Sequence, residues 1–198
     1  NLAGVENTAG GYKALFFNDG GSWNTAMGTD ALYSNVSGYF NTAVGDSALF
    51  SNLAGKWNTA IGALALRSNT GDGNDAHGFA ALQTNTTGKF NTANGYIALF
   101  SNTTGAHNIG IGAGALYSND TGYQNNAVGY KALFSNTTGS WNTAVGSLAL
   151  YTNTTGALNT AIGDSVLFSN TTGSNNTAIG TNALGKNATG SNNVAIGK

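Results

Sequence analysis

Asn142 to Leu158 read NTAVGSLALYTNTTGAL, and this stretch is the unit from which the whole chain is built. The spacing between successive units is 17 residues everywhere except between Asn58 and Asn74, where it is 16. Self-similarity at a fixed short period is the signature of a repeat architecture. Units begin at Asn7, Asn24, Asn41, Asn58, Asn74, Asn91, Asn108, Asn125, Asn142, Asn159, Asn176 and Asn193.

We number each unit from position 1, its first Asn, to position 17. Asn recurs at positions 1 and 12, Gly at positions 5 and 15, and Leu at position 9 of every complete unit. The residue missing from the short unit falls in the turn-prone segment 69–73, because a one-residue slip in a strand would reverse the facing of its side chains. Residues 1–198 are therefore predicted to form a single repeat array with 11 complete units from Asn7 and partial units at both ends. The missing end caps indicate a piece of a longer fibre.

Composition excludes several classes of protein. The chain has 40% hydrophobic and only 8% charged residues, which argues against ordinary disorder. Its formal net charge of −1 gives no electrostatic footprint for a nucleic acid. No Cys is present, so neither disulfides nor thiolate metal sites are expected. No apolar run approaches the roughly 20 residues that a membrane span needs, and we expect no cofactor.

Positions 2–5 and 8–11 of each unit are short β-prone segments, separated by Gly, Asn, Asp, Ser and Thr, which favour turns. A helix over four or five residues between Gly and Asn would be too short to be stable. The sequence therefore predicts an all-β fold, a parallel β-solenoid with one 17-residue unit per coil. At about 4.8 Å per coil, the rod would be about 55 Å long.

Stacking places equal positions of successive coils above one another. Leu at position 9 and Val or Ile at position 4 are predicted to form two core columns, which include Leu49, Leu66, Leu99, Leu133, Val44, Ile61, Val128 and Ile162. Asn at positions 1 and 12 predicts ladders of side-chain amides from coil to coil. Gly at positions 5 and 15 is predicted to supply backbone conformations with positive φ.

Two further columns are aromatic. Position 10 points away from Leu at position 9 by alternation, and so lies on an outer surface. A long apolar row on a soluble monomer should be covered, which favours burial against other copies of the chain. Aromatic caps on the coil's own edges, or platforms for a sugar ligand, are the alternatives. The predicted seam or platform comprises Trp23, Phe40, Trp57, Phe90 and Trp141 at position 17, and Phe50, Phe100 and Phe134 at position 10.

The units resemble those in the head domains of trimeric autotransporter adhesins, the YadA-like family. The similar pieces are Thr59-Ala60-Ile61-Gly62, Thr160-Ala161-Ile162-Gly163, Thr177-Ala178-Ile179-Gly180 and Val194-Ala195-Ile196-Gly197. The resemblance implies a left-handed parallel β-roll, a homotrimer of such rolls and exposure at a cell surface for attachment. Arrays of NTA-x-G…ALxSNTTG units also resemble bacteriophage tail-fibre proteins. The unit is longer here than is usual in the adhesin family.

Candidate catalytic residues do not form a constellation. His77 at position 4 and His107 at position 17 fall in different columns, and Asp46 and Asp164 are seven coils apart. General acid–base catalysis needs groups within hydrogen-bond reach, so an enzyme is not expected.

His77 and Asn94 replace the apolar residue at position 4 in adjacent coils. If this column faced a threefold axis, three copies of each would ring an axial pocket for an anion or water. The alternative is a hydrated defect in the column.

Asn-x-Ser/Thr sequons recur at position 12, where they mark either N-glycosylation or an amide ladder generated by the repeat. The candidate acceptors are Asn35, Asn85, Asn102, Asn119, Asn136, Asn153, Asn170 and Asn187.

The sequence thus predicts an extracellular fibre segment, on a cell surface or virion, that acts as a rigid spacer and by multivalent attachment. Its expected partners are further copies of itself and a glycan or protein receptor on a host surface. Two alternatives stay open. One is a filament whose solenoid ends pair, and the other is an ice-binding solenoid with the recurring Thr of position 2 as its water-ordering row.

Overall fold

The computed structural model describes residues 4–198, which form a parallel β-solenoid with one repeat unit per coil and no helix among them. Residues 1–3, which belong to the partial unit predicted before Asn7, lie outside the described residues. The strands are β1 Thr8–Gly10, β2 Phe17–Asn18, β3 Thr25–Met27, β4 Ser34–Asn35, β5 Thr42–Val44, β6 Thr59–Ile61, β7 Asp75–His77, β8 Thr92–Asn94, β9 Ile109–Ile111, β10 Asn126–Val128, β11 Thr143–Val145, β12 Thr160–Ile162, β13 Thr177–Ile179 and β14 Val194–Ile196.

Strands β1, β3 and β5–β14 form one 12-stranded parallel sheet in chain order. Each strand covers positions 2–4, and equal positions pair: Val145 lies beside Ile162. The register holds across the short unit, where Ile61 pairs with His77. The loss of one residue is therefore absorbed in the turn, as predicted.

The prediction of a second strand at positions 8–11 was wrong. In the unit that begins at Asn142, residues 147–152 form a turn. The chain turns because two residues in this part of each unit have a left-handed backbone. Leu at position 9 has φ of 51° at Leu150, and position 7 has φ of 56° at Leu148. The turns are still bonded from coil to coil, as when Leu150 N donates to Val166 O at 2.9 Å. Only β2 and β4 pair as strands in this part of the unit.

The core column at position 9 is confirmed, and the one at position 4 is wrong. Leu49, Leu66, Leu99 and Leu133 are 0% exposed. Side chains alternate along a strand, and Ala at position 3 faces inwards, so position 4 must face outwards. Ala at positions 3 and 8 leaves inside the coil only the space that Leu fills. Val44, Ile61 and Ile162 are 37%, 42% and 40% exposed, and Val128 is half-buried.

Both predicted amide ladders are present. At position 1, Asn142 Nδ2 donates to Asn125 Oδ1 at 3.1 Å and to Gly156 O at 2.8 Å. At position 12, Asn153 Nδ2 donates to Asn136 Oδ1 and to the same Gly156 O, both at 2.9 Å. One glycine carbonyl thus joins the two ladders inside each coil.

The two recurring glycines have different roles. Position 5 has positive φ as predicted, with 134° at Gly146. The prediction of positive φ at position 15 was wrong, since Gly156 is not in that region. Glycine is required at position 15 because a Cβ at Gly156 would collide with Asn153 Oδ1 and with the carbonyl of Gly173 in the next coil.

Candidate functional site

The outward side chains at positions 2 and 4 of the 12-stranded sheet form one surface, which we call the strand face. Its strands are short and in register. Thr predominates at position 2 and is half-buried in most coils, whereas position 4 carries exposed Val and Ile. Met27, Val44, Ile61, Ile111, Val145, Ile162, Ile179 and Ile196 make this position a nearly continuous apolar column of large exposed side chains.

One polar cluster interrupts the strand face at β7 and β8. Asp75 and His77 are positions 2 and 4 of the same strand, and His77 Nε2 lies 3.0 Å from Asp75 Oδ1. The two side chains are 43% exposed for His77 and 51% for Asp75, but Nε2 itself is shielded from water and forms no hydrogen bond. Asn94 is exposed and pairs in register with His77. His77 and Asn94 are thus neighbours on one surface, and their place at a symmetry axis stays a prediction.

Position 10 forms a stack of half-buried rings outside the Leu column. Phe100, Tyr117, Phe134, Tyr151 and Phe168 stack in sequence with centroid distances of 5.3, 4.9, 5.3 and 5.2 Å. Their planes are within 14° of parallel. Each ring covers a face of the next, so the stack stabilises the coil edge along the rod axis.

Phe50 belongs to an earlier stack at position 10, in which it lies 4.8 Å from Tyr33. The guanidinium of Arg67 lies over Phe50 at 5.2 Å and takes the place of the next ring. Cationic side chains also border the first and later rings. Lys131 Nζ lies 5.3 Å from the Phe134 ring. Near the start of the array, a hydrogen bond with the Tyr12 side chain raises the pKa of Lys13.

Position 17 forms a second aromatic column that is more exposed. The rings of Trp23 and Phe40 are stacked at 4.9 Å, and Phe90 stacks on His107 at 5.3 Å. Stacked rings present their edges outwards, and sugar stacking would need open faces. The stacked pairs of rings are therefore less suited to the predicted role of carbohydrate platform than unpaired rings would be. The exposed fractions are 46% for Trp23, 49% for Phe40, 51% for Trp57, 51% for Phe90 and 49% for Trp141.

The position-12 sequons are explained by the amide ladder. Seven of the eight predicted acceptor Asn residues are fully buried, and Asn187 is half-buried. In each, Nδ2 donates to a glycine carbonyl, as Asn170 does to Gly173 at 2.9 Å. The folded chain therefore presents no free amide for a glycan at Asn35, Asn85, Asn102, Asn119, Asn136, Asn153 or Asn170.

The candidate catalytic residues remain apart from one another. His107 lies in the position-17 column, away from the strand face, and Asp46 and Asp164 each bond the adjacent Ser. Within residues 4–198, no three or more His, Asp or Glu side chains of one chain are placed to hold a metal ion. Over the same residues, no helix is long and apolar enough to cross a membrane.

Known proteins give no match to this chain, whether as family models, curated proteins or solved structures. Function therefore has to be argued from the strand face and its polar cluster. Sequence reasoning missed Asp75 as a member of that cluster. The available signal was its spacing of two residues from His77 within a strand, which places both side chains on one face.

Proposed function

We propose that the chain is a segment of a homotrimeric surface fibre in which three solenoids pack through their strand faces. The observation that supports this is the exposed Val and Ile column at position 4. Soluble monomers rarely leave so long an apolar surface in water. The left-handed winding implied by the resemblance to adhesin heads belongs to the same proposal.

The strand face offers the proposed trimer a long but narrow contact area. Twelve strands at about 4.8 Å, each about 10 Å long, give a strip of about 550 Å² per chain. Three such strips bury about 1,600 Å² in total, or about 550 Å² for each pair of chains, which is less than the roughly 1,200–2,000 Å² of a standard specific interface. The face carries one acidic residue per chain, Asp75, so that charge opposes the packing at one level of the rod only.

The proposed role is mechanical and does not require catalysis. A rod held by coil-to-coil hydrogen bonds is a stiff spacer that carries a tip away from a surface. Repeated weak contacts along three chains also give strong attachment through effective concentration. The setting is extracellular, on a cell or virion, and the partner is a glycan or protein of a host surface.

Light scattering on the purified chain tests this proposal. A mass of three chains is the expected result. A monomer at micromolar concentration would reject the trimer. Polymers of growing length would also reject it, in favour of end-to-end filaments.

Ice binding is the second candidate, and the observation that favours it is the in-register Thr row on the strand face. Thr143, Thr160 and Thr177 pair directly in adjacent strands. Asp75, Ile109 and Asn126 break this row in the middle of the sheet. A thermal-hysteresis assay on the monomeric fraction tests this function, and the absence of thermal hysteresis would exclude ice binding.

A further inference from the structure

We propose that the polar cluster of the strand face is a divalent transition-metal site, in which His77 from three copies binds the ion and Asp75 positions each imidazole. The inference rests on the proposed trimer, since one chain supplies a single imidazole to the site. Zinc is the ion that this ligand chemistry fits.

The cluster is a charged group on a surface that is otherwise neutral. Among positions 2 and 4 of the 12-stranded sheet, only β7 carries titratable side chains, and both of its outward residues are titratable. Packing three strand faces together would bring three Asp75 carboxylates into an apolar seam. Buried charge without a partner is strongly destabilising, so the trimer needs positive charge at this level. The same carboxylates make the anion predicted from the sequence unfavourable here.

The contact between the two side chains prepares His77 to bind a metal. Asp75 Oδ1 lies 3.0 Å from Nε2, which is shielded from water. Nδ1 is therefore the free ring nitrogen. When Nδ1 binds a metal, the proton is fixed on Nε2, where it can be donated to Asp75. A carboxylate behind the imidazole fixes the ring orientation and raises the basicity of the ligand, as is usual at zinc sites.

Threefold symmetry completes the coordination. Within residues 4–198 a single chain offers no set of three metal ligands, but a trimer places three imidazoles at the same height on the axis. Three nitrogen ligands and one water make the tetrahedral arrangement that zinc prefers, with metal–nitrogen distances of about 2.0–2.1 Å. Asn94, one coil further along, is placed to hydrogen-bond that water. Three carboxylates and one divalent cation leave one net negative charge instead of three.

The test is a zinc titration by calorimetry, with light scattering and thermal melting of the same samples. The expected result for the natural chain is one zinc ion per three chains and a higher melting temperature with zinc than with a chelator. His77→Ile restores the usual residue of position 4. It should lose stoichiometric zinc binding and, because three Asp75 carboxylates then lack a cation in the seam, it should also weaken the trimer.

Two further variants separate the roles of the residues. Asp75→Thr also restores the usual residue, and it should weaken zinc binding by about 10- to 100-fold while the trimer is kept. His107→Ala is the matched control, because this His lies in the position-17 column, and zinc binding should be unchanged.

The outcomes distinguish the two proposals. A trimer that binds no zinc, or whose binding survives His77→Ile, overturns the metal site and leaves the fibre intact. A chain that is monomeric with and without zinc overturns the trimer, and the site with it.

Discussion

At the scale of single residues, the structure depends on buried amides as well as on apolar contacts. Asn at positions 1 and 12 is the main buried polar residue of the coil. Inside the array, as at Asn142, Nδ2 donates to the preceding coil and to a glycine carbonyl, and Oδ1 accepts from the next coil. Buried polar groups are costly when unpaired. Asn therefore cannot be exchanged for an apolar residue of similar size, and this explains its presence in every unit.

Replacing Asn142 by Ala should destabilise the chain by about 3 kcal/mol. Asn142 Oδ1 accepts from Asn159 N at 3.0 Å, and the substitution leaves that buried N–H without an acceptor. Chemical denaturation followed by circular dichroism measures the loss. Asn126→Thr is the control, because Asn126 Oδ1 has no partner and Thr is the usual residue there. Its effect should stay within about 0.5 kcal/mol, and equal losses in the two variants would contradict the ladder argument.

At the scale of the element, each coil consists of one three-residue strand and a turn that carries the main apolar residue. Leu at position 9 has φ between 49° and 54° throughout the array. This conformation is uncommon for a residue with a Cβ, and at position 9 it accompanies a buried or half-buried leucine side chain. Leu116 is fully buried between the Ala residues that line the coil.

Leu116→Ala should therefore cost about 2–5 kcal/mol, which is the usual range for a fully buried leucine. The backbone preference is nearly unchanged, because both residues carry a Cβ, so the loss reports on packing. Leu158→Ala is the matched control: Leu158 is also in the left-handed region, with φ of 59°, but its side chain is 54% exposed. A melting experiment in which both variants lose equal stability would show that position 9 contributes no more than a surface residue.

The sequence could predict those features of the coil that repetition alone determines. Unit length, register, the site of the deletion and the Asn ladders all follow from equal residues that lie above one another. The inward face of the strand could not be predicted, since Thr-Ala-Val offers no clear alternation of polar and apolar residues. Leu150 and its equivalents decide which face of the strand points inwards. Their side chains, carried on a left-handed turn, fill the inside of the coil and leave room only for Ala144 on the strand. Asp75 was missed for the same reason, because its outward neighbour His77 had been placed in the core.

At the scale of the whole molecule, the central issue is which of three long surfaces is covered in the proposed fibre. The strand face is aliphatic, the position-10 column is half-buried, and the position-17 column is exposed, with rings stacked between Trp23 and Phe40 and between Phe90 and His107. Stacked rings already cover each other's faces, and so gain less from a partner chain than Val and Ile do. The apolar area that remains to be buried is therefore concentrated on the strand face, which favours this surface as the seam.

Ile162→Asp tests this assignment, because it places a carboxylate on the strand face at a residue that is 40% exposed in the single chain. The coil should tolerate it, but a trimer would bring three such charges into an apolar seam. Unpaired buried charge costs about 3–5 kcal/mol, so light scattering should show monomers.

Trp141→Ser is the matched variant for the position-17 column, since Trp141 is 49% exposed. It should remain trimeric, and circular dichroism should show that both variants keep the solenoid. If Trp141→Ser dissociates the trimer and Ile162→Asp does not, the aromatic column is the seam. The strand face would then be free to contact solvent or a ligand, and a zinc site shared by three copies of His77 would be impossible.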